Sequence, residues 1–233
     1  MKFSNLHPLK AAKAVADGKV MRNFAHQFGL VYFGNVQQGD EHQLVRGVTL
    51  AVDHKDKHYM VGNYKGYDFT VLQRTVTLGF PGQPAKDYRW IIMQADLQQV
   101  VLPHILVAYG HQDRLFFDTV AIKHANFQQI IPSAIENDHE FLHNFRVFSA
   151  AEAIDSVSDI LHPPLRATIR EYFRHFDIEI QGDQVIVYTM ATLITPSLLQ
   201  EMLREVLWLA QQFDNLPLPA FRQSSIAHIP PKE

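Results

Sequence analysis

Residues 176 to 190, FDIEIQGDQVIVYTM, constrain this chain more than any other stretch. Phe176, Ile178 and Ile180 alternate with polar residues, and Gly182-Asp183 supplies a turn before the apolar run resumes. Alternation of period two broken by such a pair predicts a β-hairpin. Thr195-Pro196 then supplies an N-cap and a first-turn proline. Leu199, Met202, Leu203, Val206, Ala210 and Phe213 follow as one apolar stripe at helical spacing. This closing helix is expected to pack on the hairpin.

The first half reads differently. Residues 8 to 29 have apolar positions at three-and-four spacing, interrupted at Asp17-Gly18 and closed by Gly29, which predicts two short helices. From Leu30 to about Tyr109 the runs LVYFGNV, QLVRGVTLAV, HYMVGNY, YDFTVLQRTVTL and YRWIIMQADL, with Leu102 to Tyr109, predict an antiparallel meander. Tyr64-Lys65-Gly66-Tyr67 reads as its sharpest hairpin turn. Residues 111 to 140 have weak periodicity. FLHNFRVFS then reads as a strand, AAEAIDSVSDILH as a helix, and Pro163-Pro164 as the start of another.

The expected fold class is α+β, with an antiparallel β-meander in the first half followed by a strand-helix-hairpin-helix unit. The expected organisation is a helical segment at 1–29, the meander at 30–110, the α+β unit at 111–214 and a tail at 215–233. That tail carries Pro217, Pro219, Pro230 and Pro231 and is expected to lie extended, outside the regular core. Its alternative is a strap docked through Leu216, Leu218, Phe221 and Ile226.

Two of these patterns, VGNYKGYDFTVLQRTVT with WIIMQADL, and FRVFS followed by a helix, a hairpin and a closing helix, carry a resemblance. They resemble a bacterial family of unknown function with a "GxYxGxxVxVFxY" hairpin, an "FNxxFxVxS" strand and a terminal strand–strand–helix. The resemblance covers about Gly29 to Phe213. It implies a mixed α+β module and no assigned activity. Members often carry membrane helices ahead of this domain, whereas no segment here approaches the ~18 to 20 apolar residues that span a bilayer.

Composition narrows the chemistry. With 47% hydrophobic and 19% charged residues over 233, the chain can bury a real core. The net charge of −3 lacks the basic excess of a nucleic-acid binder. The absence of cysteine excludes disulfides, thiolate nucleophiles and Cys-based zinc sites. A soluble, cytoplasmic protein without an integral membrane segment is expected. No GxGxxG, GxxxxGK[ST] or GxSxG occurs.

One catalytic pattern stands out: His139-Glu140-Phe141-Leu142-His143, a literal HExxH. On a helix it puts two imidazoles on one face to hold zinc, with Glu140 as general base. In a strand the two histidines would stand roughly 13 Å apart on a ~3.3 Å rise. The neighbouring Asn144-Phe145-Arg146-Val147-Phe148 favours a strand here, and a third ligand would have to come from Glu152, Asp155, His162 or Glu171. His54 and His58 read as solvated residues across a hairpin loop, Ser149 as a helix cap, and Glu171 and Glu179 as solvated charges.

The leading functional expectation is therefore a non-enzymatic module that binds a protein partner or forms a homo-oligomer, with Trp208 and Leu198 on the last helix as its interaction residues. The alternative is a zinc-dependent hydrolase with His139 and His143 as ligands. A small-ligand carrier would instead gather Tyr64, Tyr67, Phe69 and Trp90 around a ligand between the meander and the helices.

Overall fold

The computed structural model describes residues 8–35, 45, 47–50, 54–79, 84–110, 116, 126–190 and 193–217, with side chains from residue 13 onward. Its strands are β1 (Val31–Gly34), β2 (His54–Tyr64), β3 (Tyr67–Leu78), β4 (Lys86–Asp96), β5 (Leu102–Tyr109), β6 (Gln128–Ile130), β7 (Phe145–Ser149), β8 (Asp177–Gly182) and β9 (Gln184–Thr189). They form one nine-stranded sheet in the order β1-β2-β3-β4-β9-β8-β5-β7-β6, antiparallel throughout. Its helices are α1 (Pro8–Phe28), α2 (Ser133–Glu136), α3 (His139–Asn144), α4 (Ile154–Ile160), α5 (Pro163–Tyr172) and α6 (Pro196–Asp214). The fold class is α+β.

Turn chemistry sets the hairpins. Lys65 and Gly66 both take positive φ, 51° and 89°, the geometry whose twist matches the flanking strands of a two-residue hairpin. Asn63 braces this turn, its Oδ1 accepting the Gly66 amide at 3.2 Å and its Nδ2 donating to Asp68 Oδ1 at 3.0 Å. The β8–β9 turn takes positive φ at Gly182 alone, 65°, and closes with Gln181 opposite Gln184. At the other end of the chain, α6 starts as its sequence demands, with Thr195 Oγ1 accepting the Leu198 amide at 3.2 Å.

The meander ends at β4 rather than running on into β5. The β8–β9 hairpin is inserted between them: β4 pairs with β9, Ile92 opposite Tyr188, while β5 pairs with β8, Ile105 opposite Ile180. The short β4–β5 connection therefore wraps around the hairpin tip. The Leu97 amide donates to Asp183 O, and Asp214, at the end of α6, accepts the Gln98 and Gln99 amides at 3.0 and 2.8 Å. One buried carboxylate thus ties the last helix to the crossover.

Residues 8–28 form one helix and not two. Gly18 is retained within it because a Cβ there would stand 3.2 Å from His58 Cε1, and His58 itself accepts or donates at 2.7 Å to the Tyr32 hydroxyl. His54 and His58 lie within β2, where a bulge between Lys57 and Met60 interrupts the register, and His54 is buried. They do not face each other across a loop.

Both faces of the sheet are covered. On one, Val71, Met93, Val107, Ile178 and Val187 pack beneath Phe24, Phe141, Ile169 and the apolar stripe of α6. On the other, Leu72, Tyr88, Trp90, Ile92, Leu106, Ile186 and Tyr188 pack beneath Val45, Val48, Phe116 and Phe127. Leu216, expected in a detached tail, is buried in the first of these cores, with its amide on Phe213 O at 3.1 Å. Leu218, Phe221, Ile226 and the later prolines of that tail lie outside the described residues.

Asp214→Ala removes the acceptor of the Gln98 and Gln99 amides at the crossover. It is expected to lower stability by about 2 kcal/mol, the cost of leaving partly buried donors unmet. Urea denaturation of the variant beside wild type measures this directly.

Candidate functional site

Residues 139–143 are helical. Asp138 caps α3, its carboxylate accepting the Phe141 amide at 3.1 Å, and buried Phe141 stacks on Phe145 at 5.3 Å, so the helix is anchored before the chain turns into β7. The strand expected over HEFLH does not form. The strand begins only at Phe145, and the cap at Asp138 sets the preceding six residues in a helix.

That helix places His139 and His143 on one face of an open cleft of about 570 Å³, which Glu140, Asn144, Arg170 and Arg174 also line. Arg170, from α5, pairs with Glu140 and reaches Asp138 at 4.0 Å, while Arg166 Nε donates to Asp138 Oδ2 at 2.8 Å. The glutamate that a zinc hydrolase would use as its base is thus held by a guanidinium. The third ligand is not brought in either. His162 Nδ1 accepts the Leu165 amide as the cap of α5, and Asp155 lines a separate cleft with Ile131, Ser133 and Ser158. Among the described residues no group of three His, Asp or Glu side chains is gathered to hold a metal ion.

A second cluster of charge lies beneath the opposite face, where sequence reasoning placed solvated groups. Glu179, in β8, is fully buried, and its two oxygens accept the Val48 amide at 3.0 and 2.9 Å. His104 Nε2 stands 2.6 Å from Glu179 Oε1, with its ring stacked 4.3 Å from Phe127. Gly47 approaches so closely that a Cβ would fall 2.8 Å from Glu179 Oε2. Nearby, Arg74 donates to both oxygens of Asp56 at 2.9 and 2.7 Å and to Val45 O at 3.0 Å. Burial, then the charges of Glu179 and Asp177, push the Tyr188 hydroxyl well above its ordinary range. These groups clamp residues 45 and 47–50 onto the sheet. Ser149 likewise sits in β7, buried, donating to His104 O at 2.7 Å rather than capping a helix.

Trp208 and Leu198 are each half-buried against the helical-side core, Trp208 with its ring 6.2 Å from Phe173. Tyr64, Tyr67 and Phe69 face the helices, whereas Trp90 faces the other way, so these four do not converge on a common ligand space. Large apolar side chains left exposed include Phe33 at 58% and Val31 at 57% on β1, Val15 at 74% on α1, Leu193 at 57%, and Ile131 and Tyr172 at 51% each. No helix among the described residues is long and apolar enough to cross a membrane.

No protein-family model matches this sequence, and no curated protein matches it. A solved structure does match. The mycobacterial trehalose monomycolate transport factor A, TtfA, superposes with a TM-score of 0.58 at 12% identity, covering 88% of this chain and 98% of that one. At that identity the likeness concerns the fold alone.

Two expected outcomes follow from these charges. Gly47→Ala must move the Glu179 carboxylate and should cost about 2–3 kcal/mol, whereas Gly66→Ala, with open space around its Cβ, should cost only the ~1 kcal/mol of backbone strain. Paired thermal melts separate the two. Asp138 gives a pH-dependent case. Burial alone would raise its pKa, but the Arg166 hydrogen bond, the Phe141 amide and the two guanidinium charges outweigh burial and hold the carboxyl below its usual range. Its contribution is therefore complete above the unfolded carboxylate pKa of about 4 and disappears as pH falls through the lower folded value. Asp138→Asn should cost about 1–2 kcal/mol at pH 7, with the deficit closing in acid denaturation series below about pH 4.

Proposed function

We propose that this chain is a non-catalytic docking module that pairs with a second copy of itself along the edge of β1, which no strand among the described residues covers. The observation that carries this reading is the contrast between the two ends of the sheet. At one end β6 is only three residues long and runs through Ile131, 51% exposed, into Pro132, and a short edge strand closed by proline discourages strand addition. At the other, β1 reads Val-Tyr-Phe-Gly, without a charge, with Val31 and Phe33 more than half exposed.

Its side chains divide by face. Tyr32 turns toward α1, under the Arg22 guanidinium at 5.4 Å and bonded to His58, and so holds the strand in place. Val31 and Phe33 take the other side, Val31 opposite Val61 and the Phe33 ring 6.2 Å from Tyr59. They extend the second core to the rim of the sheet. An antiparallel pairing of two β1 strands about a two-fold axis would satisfy both edges at once and close the assembly, which a heterologous contact does not. Membership in the bacterial family resembled by the β2–β3 hairpin is part of the same proposal. A fold neighbour titled a transport factor accords with a module that works by contact.

Light scattering over a concentration series tests the pairing. Wild type is expected to show a monomer–dimer equilibrium. Phe33→Lys should weaken it at least about tenfold, because a charged side chain on an edge strand opposes addition, while leaving the melting temperature within a degree or two. Trp208→Ala, which truncates a ring packed inside the fold, should destabilise the monomer and leave the association constant unchanged. A wild-type monomer at high concentration, or a dimer indifferent to Phe33→Lys, would show that this edge is not the interface.

A further inference from the structure

We infer that the cleft between α3 and α5 is a binding site for a phosphate dianion, free or carried as a monoester. The HExxH pattern that suggests a metal cation is, in the folded chain, part of a cationic cradle. Arg170 and Arg174 line it together with Glu140, and the Arg166–Asp138 pair lies beside it, with Asp138 4.0 Å from Arg170. Arg166 is consumed by Asp138, and Arg170 by Glu140. Arg174 is the charge left over.

Arg174 is also the best placed donor. Its Nε donates to Arg170 O at 3.1 Å, covering a carbonyl at the end of α5 that would otherwise repel an anion. That bond pins the stem and leaves both terminal nitrogens without an acceptor among the described residues. His139 and His143, one helical turn apart on the facing wall, also have no hydrogen-bond partner among the described residues. A guanidinium fork opposite two imidazoles offers several donors from two sides. A tetrahedral oxyanion, with acceptors in all directions, can use them together, and a divalent cation would meet the uncompensated charge of Arg174.

Glu140 supplies selectivity. Its carboxylate already occupies Arg170, so an incoming anion has Arg174 as its guanidinium partner, and a phosphate, with more acceptor oxygens than a carboxylate, has oxygens left to offer the imidazoles. This inference is independent of the β1 edge, which lies on the opposite end of the sheet.

Titration of the full chain with inorganic phosphate, followed by the imidazole C2–H resonances of His139 and His143 at fixed pH and constant ionic strength, tests it. Saturable shifts of both resonances with a Kd of about 1 mM or tighter are expected. Arg174→Gln should weaken that binding at least about tenfold, the effect of removing one charge-assisted hydrogen bond, and acetate at equal ionic strength should bind more weakly. Co-sedimentation with phosphatidic acid vesicles, against phosphatidylcholine vesicles, distinguishes the sources: sedimentation lost in Arg174→Gln supports a lipid headgroup, and free phosphate binding without sedimentation supports a soluble monoester. Shifts that do not saturate, that are equal in wild type and Arg174→Gln, or that zinc reproduces at one equivalent in phosphate-free buffer would overturn the assignment.

Discussion

The centre of the sheet is buried on both faces, and most of the chemistry of this fold follows from that. A strand in such a position cannot keep a solvated side. β4 meets the condition with apolar residues, placing Trp90 and Ile92 on one face and Ile91 and Met93 on the other. β8 does not, because it carries Asp177 and Glu179 toward the second core. Charges taken from water must be matched inside. Val48 and His104 match Glu179, the Tyr109 amide meets Asp177 at 2.8 Å, and the same logic holds Arg74 against Asp56. Residues 45 and 47–50 are the means of that matching, and their position on the sheet is fixed by two buried charges of opposite sign.

The helical side uses charge differently. Two of its carboxylates sit at helix ends, where they cap and join elements: Asp138 at the start of α3 engages α5, and Asp214 at the end of α6 engages the β4–β5 crossover. The paired groups there position elements. The unpaired ones, Arg174 with its two histidines, are left to meet something else.

Much of the architecture was legible because it is written locally. The Lys65-Gly66 and Gly182-Asp183 turns, the Thr195 cap and the stripe of α6 each depend on residues a few positions apart, and each formed where its pattern placed it. What escaped depends on distant neighbours. The polar positions of β8 look solvated until β5 and residues 47 and 48 cover them. Asp17-Gly18 reads as a break until His58 is seen to need the space. HEFLH reads as part of the strand until Arg166, from α5, fixes Asp138 as a cap. For the candidate cleft, the two histidines were visible as a pair, but the arginines that set its charge lie about thirty residues later, and no periodicity links them.

The inserted hairpin has a consequence for how the molecule is made. β4 ends at Asp96, yet the strand that covers its free side ends at Thr189. At ~5–20 residues per second, a ribosome takes about 5 to 20 s to deliver it. Throughout that interval the meander has been synthesised with one long side unpaired and with Ile91 and Met93 lacking their partners in β9. Its nascent form is an open template for strand addition. The edge exposed during synthesis is thus one that the finished molecule hides completely.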